Sequence, residues 1–588
     1  MISKISEIIM DETIPLVSAT TPITPPSSLI FKLPISYIDD KYPLHSSIKS
    51  DLELLGGNGI EKPISLYNYI FNPVTKYANK IIPMWSEHYT TNIPFLNDSK
   101  KLIKSFNPIL QTISVDKIDN ILNEMKQETG FYEKYKYIDV KLLESLNNNS
   151  LFLQFLTVYN LTSPILTLAI PIIMLIIPFF IIKFHHKSIT ITAYFQTLNT
   201  IIKYHMIGKA ISEFSDVGWD RRFFILISII FYFVNIYQSI ISCYTFYKNI
   251  YKIREYLLSI SNFLSYTIKS INNINKYCGT SYKEFIIKNK KIKDILYTFN
   301  QDILSINLDT VNIKQIGKIG NILKSFYQLF KNKIYQEAIL YSLYLQGYVE
   351  NIISLQKHIQ DKTINFCRFT KRSCRFKCAY FAPLNSKNPV KNTYKLTKNI
   401  IITGPNASGK TTLLKTTLFN VLLSQQIGAG FYNNALINPY KYIHCYINIP
   451  DTSDRDSLFQ AEARRCKEIL QAIEMSDNLE RHFCIFDEIY SGTNPAEAIA
   501  SAYSFLNYIS KYSNFDYILT THYISLCDMM NMKKTITNKQ MYIDNGINTY
   551  KLINGISKIK GGIKVLEDLS YPESIIISAK DIINNIKI

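Results

Sequence analysis

The spacing of apolar residues changes several times along this 588-residue chain, and each change marks a region. Residues 1–60 have no sustained period and carry Pro, Ser and Thr in runs such as Thr21-Pro22-Ile23-Thr24-Pro25-Pro26, which predicts a flexible lead-in. Over 61–150 a helical period dominates, as at Ile118, Ile121, Leu122 and Met125. Over 151–250 the polar positions thin out and two uncharged stretches stand clear, 165–182 and 223–247, joined by a connecting loop. Each is long enough to cross a bilayer as a helix. Pro164, Pro171 and Pro178 recur every seven residues in or beside the first, a residue better tolerated in membrane helices than in soluble ones. Residues 251–365 return to a helical pattern rich in Ile, Leu and Tyr, suited to levers or a helical core. From 366 to 588 short buried-strand patterns alternate with helices, which predicts an α/β domain.

The two uncharged stretches read as a transmembrane helical hairpin, against an alternative of two helices buried in a soluble bundle. The joining loop carries Lys183, Lys187, Lys203, Lys209, Arg221 and Arg222. The positive-inside tendency keeps such a loop in the cytosol. A two-span hairpin would then place both chain ends, with the α/β domain, on the other side. Three arrangements stay open: a loop translocated against its charge, segments that enter without crossing, or soluble helices. The corresponding locations are a membrane-associated protein with its α/β domain in the cytosol or nucleus, or a soluble intracellular one.

Hydrophobic residues make up 47% of the chain and charged residues 19%, which excludes a wholly disordered chain. The formal net charge is +19, and from Leu396 onward basic and acidic residues nearly cancel, so the excess lies earlier. Such a charge suits a polyanion, either nucleic acid or an anionic membrane surface, though lysine-rich coding bias gives the same count. Within 362–395 basic residues interleave with aromatics (Arg368-Phe369, Arg375-Phe376-Lys377, Tyr380-Phe381), a pattern fitting either nucleic acid or strands that lead into a nucleotide site. Nine cysteines in a chain this long are no disulfide scaffold, and Cys367, Cys374 and Cys378 lack the spacing of a familiar zinc site. Met1 to Glu12 is mixed and has no basic-then-apolar signal.

The chemistry concentrates in the α/β region. Ile400-Ile401-Ile402 reads as a buried strand, followed by Gly404-Pro405-Asn406-Ala407-Ser408-Gly409-Lys410-Thr411 and then Thr412, which opens a helix. This is the G-x4-G-K-[ST] phosphate loop in strand–loop–helix context. Its glycines let backbone N–H groups face phosphate oxygens, at the positive end of a helix. Lys410 is assigned to the β- and γ-phosphates of ATP and the Thr411 hydroxyl to Mg²⁺. Phe483-Cys484-Ile485-Phe486 precedes Asp487-Glu488, an apolar strand ending in two acids. Asp487 is the second Mg²⁺ residue, and Glu488 orients or deprotonates the attacking water. His522, at the end of a third strand pattern, faces the γ-phosphate region. Ser457 reads as a helix N-cap whose hydroxyl suits a phosphate.

The ordered set resembles the MutS family of DNA mismatch-repair ATPases. Thr403-Gly404-Pro405-Asn406 is similar to the family's T-G-P-N opening. Ser424-Gln425-Gln426-Ile427-Gly428, Ser457-x-Phe459-x-x-Glu462, Asp487-Glu488 with Gly492-Thr493, and Thr521-His522-Tyr523 follow in order. Tyr550-Lys551-Leu552, Gly555-Ile556-Ser557, Gly562-Ile563 and Ala579 are similar to its C-terminal segment. The resemblance implies an ABC-type P-loop ATPase working as a homodimer or heterodimer, with a C-terminal dimerisation segment. Ser457 would act in trans on the partner's nucleotide, and the ATP cycle would move lever helices on DNA. It leaves a membrane-anchored mechanical ATPase acting on a protein or lipid partner as the alternative. Mismatch readers of the family carry a Phe-x-Glu wedge in an N-terminal α/β domain. Here Gly130-Phe131-Tyr132-Glu133 has the letters without that domain, and reads as a helix junction.

Overall fold

The computed structural model describes residues 29–56, 65–109, 114–127, 130–184, 190–202, 218–306, 317–383, 388–447, 449, 457–544, 547–559, 566–567 and 569–585. The proline-rich run at 21–26, Lys187, Lys203, Lys209, Gly562 and Ile563 lie outside the described residues.

A helical body comes first. Its helices are α1 (Ser46–Asp51), α2 (Leu66–Phe71), α3 (Lys76–Trp85), α4 (Ile93–Ser105), α5 (Val115–Gln127) and the short α6 (Phe131–Lys134). Then come α7 (Ser150–Phe184), α8 (Ile191–Ile202), α9 (Trp219–Tyr277), α10 (Lys283–Leu304), α11 (Ile319–Lys331) and α12 (Lys333–Gln360). Two short strands, β1 (Lys41–Pro43) and β2 (His88–Thr90), pair antiparallel. The flexible lead-in expected over 1–60 is corrected for residues 29–56. Leu29, Phe31, Leu33, Ile35, Ile48 and Leu54 are all buried in the main core, because alternating and one-turn apolar spacings were hidden among prolines and serines. The region expected to be helical over 61–150 likewise contributes strand β2.

Helix α9 has two halves of opposite character. Its inner half buries Ile253, Leu257, Ile260, Phe263, Leu264, Ile271 and Ile274 among the other body helices. Its outer half runs beside α7 beyond the body, with α8 folded onto α7 through Tyr194, whose hydroxyl donates to the Leu175 carbonyl at 2.8 Å. The outer apolar side chains are exposed, Phe231 to 60% and Phe233 to 63%. The alternative of two helices buried in a soluble bundle is therefore corrected. These helices leave the bundle, and both are long and apolar enough to cross a membrane. At the root of the arm Phe131 is buried and stacks on Phe330 with ring centroids 3.7 Å apart, so it belongs to a helix junction and is not free to stack on a base.

The α/β domain follows, with strands β3 (Asn365–Phe366), β4 (Arg368–Phe369), β5 (Cys374–Ala379), β6 (Asn392–Leu396), β7 (Asn399–Thr403), β8 (Ala429–Gly430), β9 (Asn434–Ile437), β10 (Tyr442–Tyr446), β11 (His482–Asp487), β12 (Phe515–Thr520), β13 (Ile536–Asp544) and β14 (Ile547–Asn554). Its helices are α13 (Lys410–Ile427), α14 (Leu458–Glu474), α15 (Pro495–Ile509), α16 (Ile524–Asn531) and α17 (Glu573–Asn585). The main sheet has the order β10-β11-β12-β7-β13-β14, parallel except for the β13–β14 hairpin. Its two faces fill two cores. Ile400, Ile402, Phe483 and Ile485 point toward the helical body, and Ile401, Cys484, Phe486 and Leu519 toward α14, α15 and α16. Burial on both faces explains why these strands read as continuous apolar runs. The basic 362–395 stretch forms β5 and β6 of a smaller sheet, where Cys374 and Phe376 are buried while Arg375 and Lys377 face solvent.

Helical body and α/β domain share one core, and two buried glutamines join them. The Gln425 amide donates to the carbonyls of Thr90 (3.2 Å) and Tyr440 (2.8 Å). The Gln426 amide donates to those of Trp85 (2.7 Å) and His88 (3.0 Å), while Tyr67 donates its hydroxyl to the Gln426 carbonyl oxygen at 2.9 Å. Both side chains lie at the end of α13, the helix that begins at the phosphate loop.

A candidate nucleotide site at the ends of three parallel strands

Strand order builds the site. Because β12 lies between β7 and β11, three C-terminal strand ends stand side by side, where open α/β sheets bind ligands. The loop after β7 runs from Gly404 to Gly409, the residue after β11 is Glu488, and β12 leads to Thr521 and His522. Gly409 caps α13 with φ +92, a left-handed conformation that favours glycine, and a Cβ there would stand 3.0 Å from the Tyr550 ring. Ala407 shares the left-handed region at φ 59.

The Lys410 ammonium is nearly buried. It donates to the carbonyls of Gly404 (2.9 Å) and Pro405 (3.1 Å) and lies 3.8 Å from a Glu488 oxygen. Burial pulls its pKa below the usual lysine value. Thr411 donates its hydroxyl to Asp487 Oδ2 at 2.8 Å, and Thr520 donates to Asp487 Oδ1 at 2.5 Å. Glu488 takes φ 53, rare for a residue with a side chain, and its N–H donates to the Thr520 carbonyl. Its carboxylate accepts from His522 Nε2 at 2.6 Å, and that hydrogen bond, ahead of every other influence, holds its pKa below the usual glutamate value. The same Nε2 lies 3.2 Å from the Lys410 ammonium.

Residues from Asn406 to Thr412 line one cavity of about 690 Å³, together with Glu488, Tyr380, Phe381 and Tyr550. The Ser408 hydroxyl is buried there and has no hydrogen-bond partner among the described residues. The residues fit a magnesium nucleotide: an unpaired hydroxyl and an ammonium face the loop, and the Thr411 and Asp487 oxygens are the hard donors Mg²⁺ takes.

Ser457 lies elsewhere, as the N-cap of α14, and does not line this cavity among the described residues. Its oxygen accepts from the Gln460 N–H at 3.4 Å in a capping box, and the residue is exposed. One turn on, Glu462 is buried and accepts from the N–H and hydroxyl of Ser491 (3.0 and 2.9 Å) and from the Gly492 N–H (3.1 Å). A Cβ on Gly492 would meet the Phe459 backbone nitrogen at 2.7 Å, so glycine lets the start of α14 seat against the loop that follows Glu488. Sequence reasoning quoted Glu462 and Gly492 without assigning this tie. It missed Thr520, although a hydroxyl at a strand end just before Thr521-His522 was a usable signal.

Comparison with known proteins falls on the same part of the chain. A family described as MutS domain V matches residues 400–587. The protein named Endonuclease MutS2 from Staphylococcus aureus is 28% identical over 212 residues, covering 35% of this chain and 29% of that protein. Its namesake from Staphylococcus aureus strain bovine RF122 / ET3-1 is 25% identical over 256 residues, covering 42% of this chain and 32% of that protein. The chain thus spans less than a third of the length of these curated relatives.

Proposed function

We propose, from the match of residues 400–587 to MutS domain V, that this MutS-like chain is a Mg²⁺-dependent ATPase that works as a dimer and couples its ATP cycle to DNA. One observation carries the ATPase reading. Thr411 and Asp487 share a hydrogen bond of 2.8 Å beside Lys410, Glu488 and His522, although Thr411 opens helix α13 and Asp487 ends strand β11. ATP and Mg²⁺ are the implied cofactors. Mg²⁺, held by Thr411 and Asp487, would neutralise charge on the phosphates. The backbone amides from Asn406 to Lys410 hold phosphate oxygens, and the Lys410 ammonium swings from the Gly404 and Pro405 carbonyls to them. Thr520 keeps Asp487 oriented. Glu488, ionised and fixed by His522, accepts a proton from the attacking water or aligns it. The aromatic rings in the cavity lining, Phe381 and Tyr550, suit a purine face.

The exposed place of Ser457 at a helix N-terminus supports a role in trans on a partner subunit's nucleotide, whether the partner is a second copy or another MutS-like chain. The basic excess before Leu396 supports a polyanionic DNA partner. The test is ATP turnover by the full chain with homoduplex, mismatched and branched DNA across a salt series. Glu488→Gln is expected to retain ATP and lose turnover. Turnover at the unaltered rate in that variant would overturn the ATPase assignment, and the lack of any DNA affinity at low salt would remove the DNA half.

A further inference from the structure

We propose that the arm formed by α7 and the outer half of α9 is a hairpin embedded in a lipid bilayer, so that this ATPase works from a membrane surface. The first support is the direction its side chains face. In a soluble hairpin the apolar residues fill the seam and the polar ones face water. Here the arrangement is reversed. Ser163 and Ser239 hydrogen-bond each other at 3.2 Å inside the seam. Tyr232 donates to the Thr167 carbonyl at 3.3 Å, and the Cys243 thiol to the Leu161 carbonyl at 3.5 Å. These pairings run antiparallel, as in a hairpin. Outside lie Ile165, Ile172, Phe180, Ile230, Phe231 and Phe233, each at least 60% exposed. Polar contacts inside and apolar surface outside are how helices pack in lipid.

The second support is length. From Phe223 to Tyr247 the helix measures roughly 37 Å at about 1.5 Å per residue, against a hydrocarbon core of about 30 Å. The third is what stands at the ends. At the tip Trp219 lies under the Arg222 guanidinium, 5.5 Å from the ring centroid. At the root Tyr244, Tyr247 and Tyr251 are exposed around Lys248. Aromatic and basic residues at both ends match the two interfaces of a bilayer, and the basic tip suits anionic headgroups. Asn235 and Gln238 are exposed on the outer surface, one turn apart, and give a second hairpin a polar stripe to pack on.

The test separates this inference from the ATPase reading. The full chain is expressed with its membranes, extracted with alkaline carbonate, and reconstituted with vesicles of phosphatidylcholine containing one third phosphatidylglycerol. The protein is expected to stay in the carbonate pellet and float with the vesicles. Phe231→Glu with Phe233→Glu is expected to raise the soluble-to-bound ratio by roughly a hundredfold or more, with ATP turnover in mild detergent unchanged. Phe231→Leu with Phe233→Leu is expected to stay bound, which guards against a folding artefact. Carbonate release of the unaltered chain as a monodisperse species without detergent would overturn the inference and leave the ATPase standing. An inactive but membrane-bound protein would do the reverse.

Discussion

The candidate nucleotide site and the arm solve opposite problems with the same residue types. At the site, polar groups are gathered inside a largely apolar domain and tied to one another, Thr411 and Thr520 to Asp487 and His522 to Glu488. In the arm, apolar groups are gathered on the outside and polar contacts lie in the seam. The contrast even runs within one helix, since Phe263 of α9 is fully buried and Phe231, on the same unbroken helix, is 60% exposed. Apolar content alone does not tell a core from an arm. The identity of the neighbours does.

The comparison can be broken most forcefully at the site. Glu488→Gln is expected to slow turnover by about 10²–10⁴-fold with nucleotide still retained, read by single-turnover kinetics and filter binding. Next comes the paired truncation on α9. Phe263→Ala is expected to cost about 3–5 kcal/mol, and Phe231→Ala to stay within about 0.5 kcal/mol, both by denaturant unfolding in detergent. Equal losses would mean that the two halves share one environment. A smaller effect is expected where site and body join. Gln426→Ala removes the partner of Tyr67 and of two carbonyls, at about 1–3 kcal/mol, seen as a lowered unfolding midpoint.

The smallest effect is electrostatic. The Glu488 pKa is lowered, so its contribution to stability is complete above the ordinary carboxylate range and fades as pH falls through the lowered value. The side chain is 42% exposed, so solvent screens much of that contribution, and turnover is the better readout. His522→Ala is expected to move the acid limb of the kcat profile upward, toward the ordinary glutamate value. A limb that stays in place would show that His522 does not hold this carboxylate.

What was legible in the sequence follows the range of the interactions. The phosphate loop is written locally, because a tight loop at a helix start needs Gly404 and Gly409 at fixed spacing. Asp487 and Glu488 end an apolar strand, and that too is local. The unread parts depend on distant partners. Residues 29–56 looked like a lead-in because what buries them comes from elsewhere in the chain, as when the Cys445 thiol donates to Asp51 and Arg465 to Ser47. Gln425 and Gln426 were quoted as letters of a motif, and their role appears only when Trp85, His88 and Thr90 arrive from more than 330 positions away. The two apolar stretches were found correctly as helices, but their surroundings were not decidable from composition, since α7 and α9 leave the body through residues no different from those inside it.

The unbroken course of α9 has a mechanical consequence. The helix spans 59 residues, and its buried portion ends near Asn249, so the inner and outer portions are each roughly 45 Å long at about 1.5 Å per residue. A rigid rod pivoted near its midpoint has a gear ratio close to one. Rocking the inner half by a few degrees would displace the far end by several ångströms, with neither gain nor loss of stroke, and force applied at the tip would return to the helical body undiminished.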